Sequence, residues 1–204
     1  MGNETGIGAS ILRKEDLRFV TGKGQYVADV QLPNMTVAVL VRSPHAHARL
    51  VSIDTTAAAA LPGVVAIYTG ADLAADGVGT LPCAWPVTGK AGMASREPAH
   101  PPLAQGKVRH VGHPVALVVA ESLVEARNAA EAVVVEYDVL PAVVSVLAAL
   151  EPGATAVFDD IPDNVCVDWE VGDSAATDLA FTKAAHIARI SLVNNRLVGN
   201  PMEP

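Results

Sequence analysis

Short apolar runs bounded by glycine, proline or asparagine recur along the first 140 residues and are typical of β-strands. They predict strands at the segments MTVAVLVRS, ARLVSID, VVAIYTG, VALVVAE and VVVEYD. The fourth run is continuously apolar, which indicates a strand covered on both faces. Between the second and third runs, TTAAAALPG predicts a short helix that begins at Thr55 or Thr56 and ends before Pro62.

A longer helix is predicted directly after the fourth strand. Ser122, followed three residues later by Glu125, has the spacing of a capping box. Near-helical spacing predicts one buried face at Leu123, Ala126, Ala130 and Val133. The resulting strand–helix–strand unit is expected to be right-handed if its strands are parallel.

Two segments, 71–106 and 142–164, show no periodicity, and we expect both to be irregular. After them we predict a strand at VCVDWEVG, a helix over 177–184 and a closing strand over 189–198. Strands and helices do not alternate strictly, so the fold class is α+β. We expect a mixed twisted sheet flanked by helices at 122–133 and 177–184, with the closing strand frayed unless another domain covers its edge.

Composition narrows the function classes. Half of the 204 residues are apolar but only 4% are aromatic, so the core must consist of Ala, Val and Leu. A net charge of −8 without a basic stripe disfavours nucleic acid as a partner. No apolar run approaches the roughly 20 residues of a membrane span, and no secretion signal is recognisable. We therefore expect a cytoplasmic protein.

Two histidine pairs are the first candidates for chemistry. His45 and His47 are two residues apart, so in a strand both rings would point the same way, but a catalytic zinc needs a third protein ligand that the spacing does not supply. A structural role for this pair is favoured. His110 and His113 follow Arg109 in the segment RHVGHPVA, where Gly112 indicates a tight turn that faces either a ligand or close packing.

Other patterns are weaker. TGKGQY has two glycines but lacks the third glycine, the strand and the helix of a dinucleotide fingerprint. Asp159, Asp160 and Asp163 lack the spacing of an EF-hand, and a solvated acidic loop is the favoured interpretation. Cys83 and Cys166 belong to no CxxC motif, so we expect two free thiols. No motif unites a nucleophile, a base and an oxyanion site.

A series of longer segments is more specific than any of these motifs. DLRFVTGKGQYVADVQLPNM, VRSPHAHARLVSIDTTAAAALPGVVAIYTGADL, VGHPVALVVAES, ARNAAEAVVVEYDVLPAVV and NPMEP occur in this order. Over nearly the whole chain, the series resembles the N-terminal α/β-hammerhead region of the molybdopterin-binding large subunit of the xanthine dehydrogenase and aldehyde oxidase family. Within that family it is most similar to subunits of the aerobic carbon monoxide dehydrogenase type.

The resemblance implies a domain organisation and a function. It implies a lead-in over 1–18, a hammerhead domain over 19–150, and over 151–204 a linker with the start of a truncated molybdenum-cofactor domain. The full enzyme would oxidise CO, a small carbonyl compound or an N-heterocycle. Its molybdopterin cofactor would be bound mainly beyond Pro204, and a [2Fe–2S] small subunit and an FAD medium subunit would be its partners.

On this view the chain itself is structural and inactive alone, with neither catalytic residues nor metal ligands. Gly112, His113 and Glu203 are the candidates for facing the cofactor channel. The loop over 71–106 would reach a partner subunit or the substrate funnel. One alternative is a separately encoded assembly module that docks on a molybdopterin-binding chain. Another is a small metal-dependent enzyme using His45, His47 and His113.

Overall fold

A computed structural model describes residues 6–192, and the chain divides into two units. The first unit consists of residues 1–35 together with 186–204. Within its described part, helix α1 spans Asp16–Val20 and a 3₁₀ turn spans Val27–Asp29. The rings of Phe19 and Tyr26 stack with their centroids 5.5 Å apart. The described part of this unit therefore combines a short helix with a 3₁₀ turn.

The second unit, residues 36–185, contains the sheets. Its strands are β1 (Val37–Arg42), β2 (Ala48–Asp54), β3 (Val64–Thr69), β4 (Lys107–Val108), β5 (Pro114–Ala120) and β6 (Val134–Val139). All five strands predicted in this region are present. The two-residue strand β4 lies in a stretch whose pattern did not predict a strand.

The strands form two sheets of three strands each, with orders β1-β5-β3 and β4-β2-β6. Every pairing between these strands is antiparallel. In the first sheet Leu40 is opposite Leu117, and in the second Ile53 is opposite Val135. The α+β class is confirmed, while the single sheet of the prediction is divided in two. Strand β5 lies at the centre of its sheet and is largely buried, as its continuous apolar run predicted.

Helices accompany the strands. They are α2 (Thr56–Ala59), α3 (Gly70–Ala75), α4 (Leu123–Ala132), α5 (Val146–Ala149) and α6 (Ser174–Lys183), with a 3₁₀ turn at Lys90–Gly92. The short helix α2 agrees with its prediction. Helices α3 and α5 lie in the segments that we expected to be irregular, and α3 is fixed by a capping box between Thr69 and Asp72.

Helix α4 connects the two sheets and packs on β1 and β5. Because β5 and β6 belong to different sheets, the unit is not a parallel crossover, and the handedness rule does not apply to it. The predicted buried face of α4 is wrong at Leu123, which is exposed, while the fully buried positions are Ala126 and Ala129. Small side chains on this face allow the helix to approach the sheet closely.

The capping interaction at α4 is one-sided. The Ser122 hydroxyl accepts a hydrogen bond from the Glu125 N–H at 3.3 Å. The Glu125 carboxylate instead lies beside the backbone of Gly63, where a Cβ would come within 2.2 Å of it. The sequence pattern therefore located the start of the helix correctly, but the second half of the box is used for a tertiary contact.

The core of this unit consists of two adjoining clusters. One lies around Ala48, Ala104, Val108 and Val115, and the other around Ala58, Val118, Ala129 and Val133. Val41, Ile53 and Val135 pack against both clusters. The core is built from alanine and branched aliphatic side chains, as the low aromatic content predicted.

Hydrogen bonds join the long loop over 71–106 to the segment after residue 160. Arg96 N–H donates to the carbonyl of Cys166 at 2.9 Å, and Lys90 N–H donates to Asp168 at 2.6 Å. The Arg96 side chain also contacts the Asp163 carboxylate and the Val165 carbonyl. The strand predicted at VCVDWEVG is therefore wrong: its backbone groups bind an irregular loop and join neither sheet.

The predicted C-terminal helix exists but begins three residues earlier, at Ser174, because Asp173 caps it by accepting from Ala176 N–H at 2.9 Å. The predicted closing strand is absent from 189–192, and the rest of it lies outside the described residues. Within residues 6–192, no helix is long and apolar enough to cross a membrane.

Candidate functional site

The turn between β4 and β5 carries four of the residues singled out by the sequence. Over 110–113 the His113 N–H donates to the His110 carbonyl at 3.1 Å. Gly112 has φ +83°, a left-handed conformation that favours glycine. No other group of residues 6–192 lies within contact distance of a Cβ built at Gly112. Within this part of the chain, the glycine is therefore explained by the backbone of the turn and not by close packing.

Strand β1 holds this turn in place. Gly112 N–H donates to the Ser43 carbonyl at 2.8 Å, and Ser43 N–H donates to the His113 carbonyl at 3.0 Å. The guanidinium of Arg42 donates to the Gly112 carbonyl at 2.9 Å. These hydrogen bonds occupy both the N–H and the carbonyl of Gly112. A ligand at this turn would therefore contact its side chains and not the peptide of Gly112.

The ring of His113 has a defined tautomer. Its Nδ1 accepts a hydrogen bond from the Arg109 N–H at 3.1 Å, so the neutral ring carries its proton on Nε2. The ring stacks on that of His110, with centroids 4.5 Å apart and planes inclined by 16°. The turn thus places a neutral imidazole pair side by side.

Residues far away in sequence complete a pocket around this pair. The pocket has a volume of about 120 Å³, and its polar lining consists of His100, Arg109, His110 and His113. The guanidinium of Arg109 lies over the ring of Phe158, 4.5 Å from its centroid, and the ring of His100 lies 5.6 Å from the same centroid. We call this feature the histidine pocket.

Burial and mutual repulsion weaken proton binding in the histidine pocket. Burial lowers the pKa of His113 to about 4, and the neighbouring His110, Arg109 and His100 add to the effect. The pKa of His110 is lowered by burial and by the charges of His100 and Arg42. Burial also lowers the pKa of Arg109, against the opposing effect of Asp159 and Asp160. At neutral pH, His113 is therefore uncharged.

The other histidine pair has a different environment. His47 is only 6% exposed, and its Nδ1 lies 2.7 Å from the Pro141 carbonyl, to which it donates. The Nε2 atom of His47 is buried without a partner in the described part of the chain. His45 contacts Tyr137 edge to face at 4.8 Å. Each ring thus has its own structural contact, as the favoured interpretation predicted.

The metal-dependent alternative receives no support from the geometry. Residues 6–192 contain no group of three histidine, cysteine or acidic side chains placed to hold a metal ion. Asp159 pairs with Lys107 at 2.8 Å, which lowers the pKa of this carboxyl. Asp163 pairs with Arg96 at 2.9 Å. Cys83 and Cys166 are free, exposed thiols, as expected.

Sequence reasoning found part of the histidine pocket and missed the rest. It identified Arg109, His110, Gly112 and His113, whereas Glu203 lies outside the described residues. It missed His100 and Phe158, which come from irregular segments without any periodic pattern. No local sequence signal connects those segments to the turn, because their approach is determined by tertiary packing alone.

Comparison with known proteins agrees with this architecture. Residues 21–141 match the family model described as "Aldehyde oxidase and xanthine dehydrogenase, a/b hammerhead domain". The chain belongs to the aldehyde oxidase and xanthine dehydrogenase family, of which it carries the α/β-hammerhead domain. The resemblance predicted from the ordered segments is thereby confirmed.

Two curated relatives and one solved structure show how far the similarity extends. The carbon monoxide dehydrogenase large chain of Afipia carboxidovorans is 39% identical over 97% of this chain and 25% of its own length. The xanthine dehydrogenase molybdenum-binding subunit of Escherichia coli is 36% identical over 72% of this chain and 19% of its own length. Reconstituted CO dehydrogenase from Oligotropha carboxidovorans superposes with a TM-score of 0.70 at 39% identity, over 89% of this chain and 23% of that one. The chain thus spans about a quarter or less of each.

Proposed function

We propose that this chain is the hammerhead region of the large subunit of a cytoplasmic molybdenum hydroxylase, an oxidoreductase acting on CO, a small carbonyl compound or an N-heterocycle. The observation that carries the proposal is the similarity, over 97% of the chain, to a carbon monoxide dehydrogenase large chain. A molybdenum-binding subunit of xanthine dehydrogenase among the relatives supports the choice of metal.

The role we propose for the described residues is structural. Hydroxylation would occur at a molybdopterin cofactor bound mainly by a domain outside these 204 residues, and the cofactor would supply the redox chemistry. Electrons would leave through [2Fe–2S] clusters and FAD on a small and a medium partner subunit. On this proposal the hammerhead domain covers 19–150, and 151–204 leads into the cofactor domain.

Exposed apolar side chains support an additional partner. Large apolar side chains that are more than half exposed occur along the C-terminal part of the second unit, at Val144, Leu147, Trp169, Val171 and Phe181. Where such side chains adjoin one another, they mark a surface that another protein surface covers. In the proposed enzyme, the cofactor domain would cover them.

For the candidate cofactor contacts, the structure favours a side chain over a backbone contact. Gly112 has both backbone groups bonded within the fold, whereas the Nε2 of His113 has no partner in the described residues. We therefore propose His113, and not Gly112, as the residue of this turn that faces the cofactor channel. Glu203 stays a proposal from the sequence.

The long loop offers a direct test of partner contact. Trp85 lies in this loop and is 84% exposed, so its large ring is available to another subunit. We expect Trp85→Ser in the complete enzyme to weaken co-purification of the small or medium subunit, or to change the substrate range. Val65→Ser, at an exposed apolar position of β3, is the matched control. Unchanged assembly and substrate range in Trp85→Ser would refute the proposed role of the loop.

The second candidate is an assembly module encoded separately from its cofactor chain. The alignment with the carbon monoxide dehydrogenase large chain covers 97% of this chain and 25% of that relative, which is compatible with either candidate. Isolation from the native source separates the two. A polypeptide several times longer supports the large subunit, and a 204-residue chain bound to a molybdenum-containing partner supports the module.

A further inference from the structure

The histidine pocket combines positive or protonatable groups from separate parts of the chain. His100 comes from the long loop, and Arg109, His110 and His113 come from the turn before β5. Among the described residues, no carboxylate belongs to its lining. Side chains that can carry four positive charges thus surround one cavity without a counter-ion in its wall.

The charged groups just outside the pocket do not neutralise it. Arg42 of β1 adds another positive charge next to His110. The nearby carboxylates are Asp159 and Asp160, and Asp159 is bound by Lys107 through both of its oxygens at 2.8 Å. The local excess of positive charge is therefore compensated only in part by the protein itself.

Hydrogen-bond donors remain available in the pocket. Nε2–H of His113 has no partner in the described residues, because the other ring nitrogen takes the Arg109 N–H. Arg109 uses its Nε and Nη1 atoms on the carbonyls of Val157 and Lys107, which leaves Nη2 free within the same residues. Within the described residues, the ring of His110 stacks on that of His113 and makes no hydrogen bond.

The size of the pocket limits what it can hold. A volume of about 120 Å³ is well above the roughly 10–15 Å³ that a single bound water requires, so a small polyatomic ion can enter. A nucleotide is too large to enter completely. His100 and His110 are exposed, so the pocket is accessible from the surface.

We propose that the histidine pocket binds a small tetrahedral oxyanion group of the phosphate or sulfate type. Guanidinium and imidazolium donors form short, charge-assisted hydrogen bonds to such groups. This inference is independent of the proposed enzymatic function, since it rests only on the lining of the pocket. It adds an anion site around His113, the residue that the proposed function places at the cofactor channel.

Binding of the anion is coupled to protonation of the histidines. An anion in the pocket stabilises the charged rings and raises their pKa values. By linkage, binding takes up protons and strengthens as the pH falls through the histidine pKa values. The positive charges of Arg42 and Arg109 favour the anion, whereas the nearby carboxylates of Asp159 and Asp160 oppose it.

The test is a titration of the full chain with sodium sulfate and with inorganic phosphate at constant ionic strength. Nuclear magnetic resonance of the histidine rings and calorimetry measure binding. We expect both anions to raise the titration midpoints of His110 and His113, with chloride at equal ionic strength ineffective. Ribose 5-phosphate distinguishes the sources: tighter binding than phosphate indicates a phosphate ester, and weaker binding indicates a free ion.

A variant pair connects binding to the pocket. His110→Asn removes an exposed ring that makes no hydrogen bond to the described residues, so we expect the fold to be retained. Anion affinity should fall about tenfold through loss of one charge-assisted contact. His186→Asn, outside the pocket, should bind like the wild type. Absence of any midpoint shift with sulfate and phosphate, or equal affinity in His110→Asn and the wild type, would overturn the proposal.

Discussion

Gly70 is a residue around which the fold leaves no space for a side chain. It is the first residue of α3, it is buried, and a Cβ built on it would lie 2.4 Å from the Ala104 carbonyl oxygen. The Gln105 side chain donates to the Gly70 carbonyl at 3.3 Å, which ties the end of β3 to the chain that leads into β4. The contact is between backbones, so a flexible side chain cannot move to relieve a clash.

We therefore predict that Gly70→Ala lowers the free energy of unfolding by about 1–3 kcal/mol, as other overpacking substitutions do. Gly79→Ala is the matched control, because nothing lies within contact distance at Gly79 and its φ is not positive. Urea unfolding of the two variants measures the difference. Equal stability of both would show that the backbone shifts apart at little cost.

The second residue-scale prediction concerns pH. Folding lowers the pKa of His113 to about 4 from about 6.5 in an unfolded chain. Between these values the unfolded state binds more protons, so stability rises with pH. The contribution of the neutral ring is complete above the unfolded pKa and is lost as the pH falls toward the folded pKa.

His113→Asn isolates this contribution. Asparagine keeps an acceptor for the Arg109 N–H but does not titrate. We expect the wild type to lose more stability than this variant as the pH falls from about 6.5 to about 4, measured by urea unfolding. His186→Asn should follow the wild-type curve. A constant difference between wild type and His113→Asn over this window would contradict the assigned pKa.

At the scale of elements, the two ten-residue helices have different relations to the core. Helix α4 buries Ala126 and Ala129 against the sheet, whereas α6 buries none of its residues. Both have an N-cap side chain that accepts a backbone N–H, Ser122 in α4 and Asp173 in α6. Only the cap of α4 should therefore be coupled to global unfolding.

We predict that Ser122→Ala reduces global stability by about 1 kcal/mol, the usual cost of losing a cap. Asp173→Ala should leave global unfolding unchanged and increase amide exchange within α6 alone. Chemical denaturation combined with hydrogen exchange measures both effects. A comparable loss of global stability in the two variants would mean that α6 is part of the cooperative core.

Hydrophobic periodicity correctly predicted most of the strands and helices that pack on the apolar core. It failed where the structure of a segment depends on tertiary contacts. Strand β2 was predicted with the bounds that the structure shows, Ala48–Asp54. The segment VCVDWEVG has the composition of a strand, but its partner is the irregular loop around Arg96. Division of the strands between two sheets depends on tertiary contacts, which the local pattern does not contain. For the same reason, the sequence identified the residues of the histidine pocket that lie in the turn before β5 and missed His100 and Phe158.

At the scale of the whole molecule, residues 21–141 match the hammerhead domain, and exposed apolar side chains follow along 144–181. Burial of such side chains against another domain contributes roughly 25 cal/mol per Å² of apolar area. In the proposed enzyme, a molybdenum-cofactor domain provides that cover. The exposure of Trp169, which is 58% in the described chain, should then fall in the complete assembly.

The most direct test is the molybdenum content of the native protein, isolated from its source by a tag on this chain and analysed for metal and intact mass. We expect molybdenum equimolar with this chain, in a longer polypeptide that contains its sequence or in a tightly bound partner. A 204-residue chain that purifies alone and without molybdenum would contradict the proposed membership in a molybdenum hydroxylase.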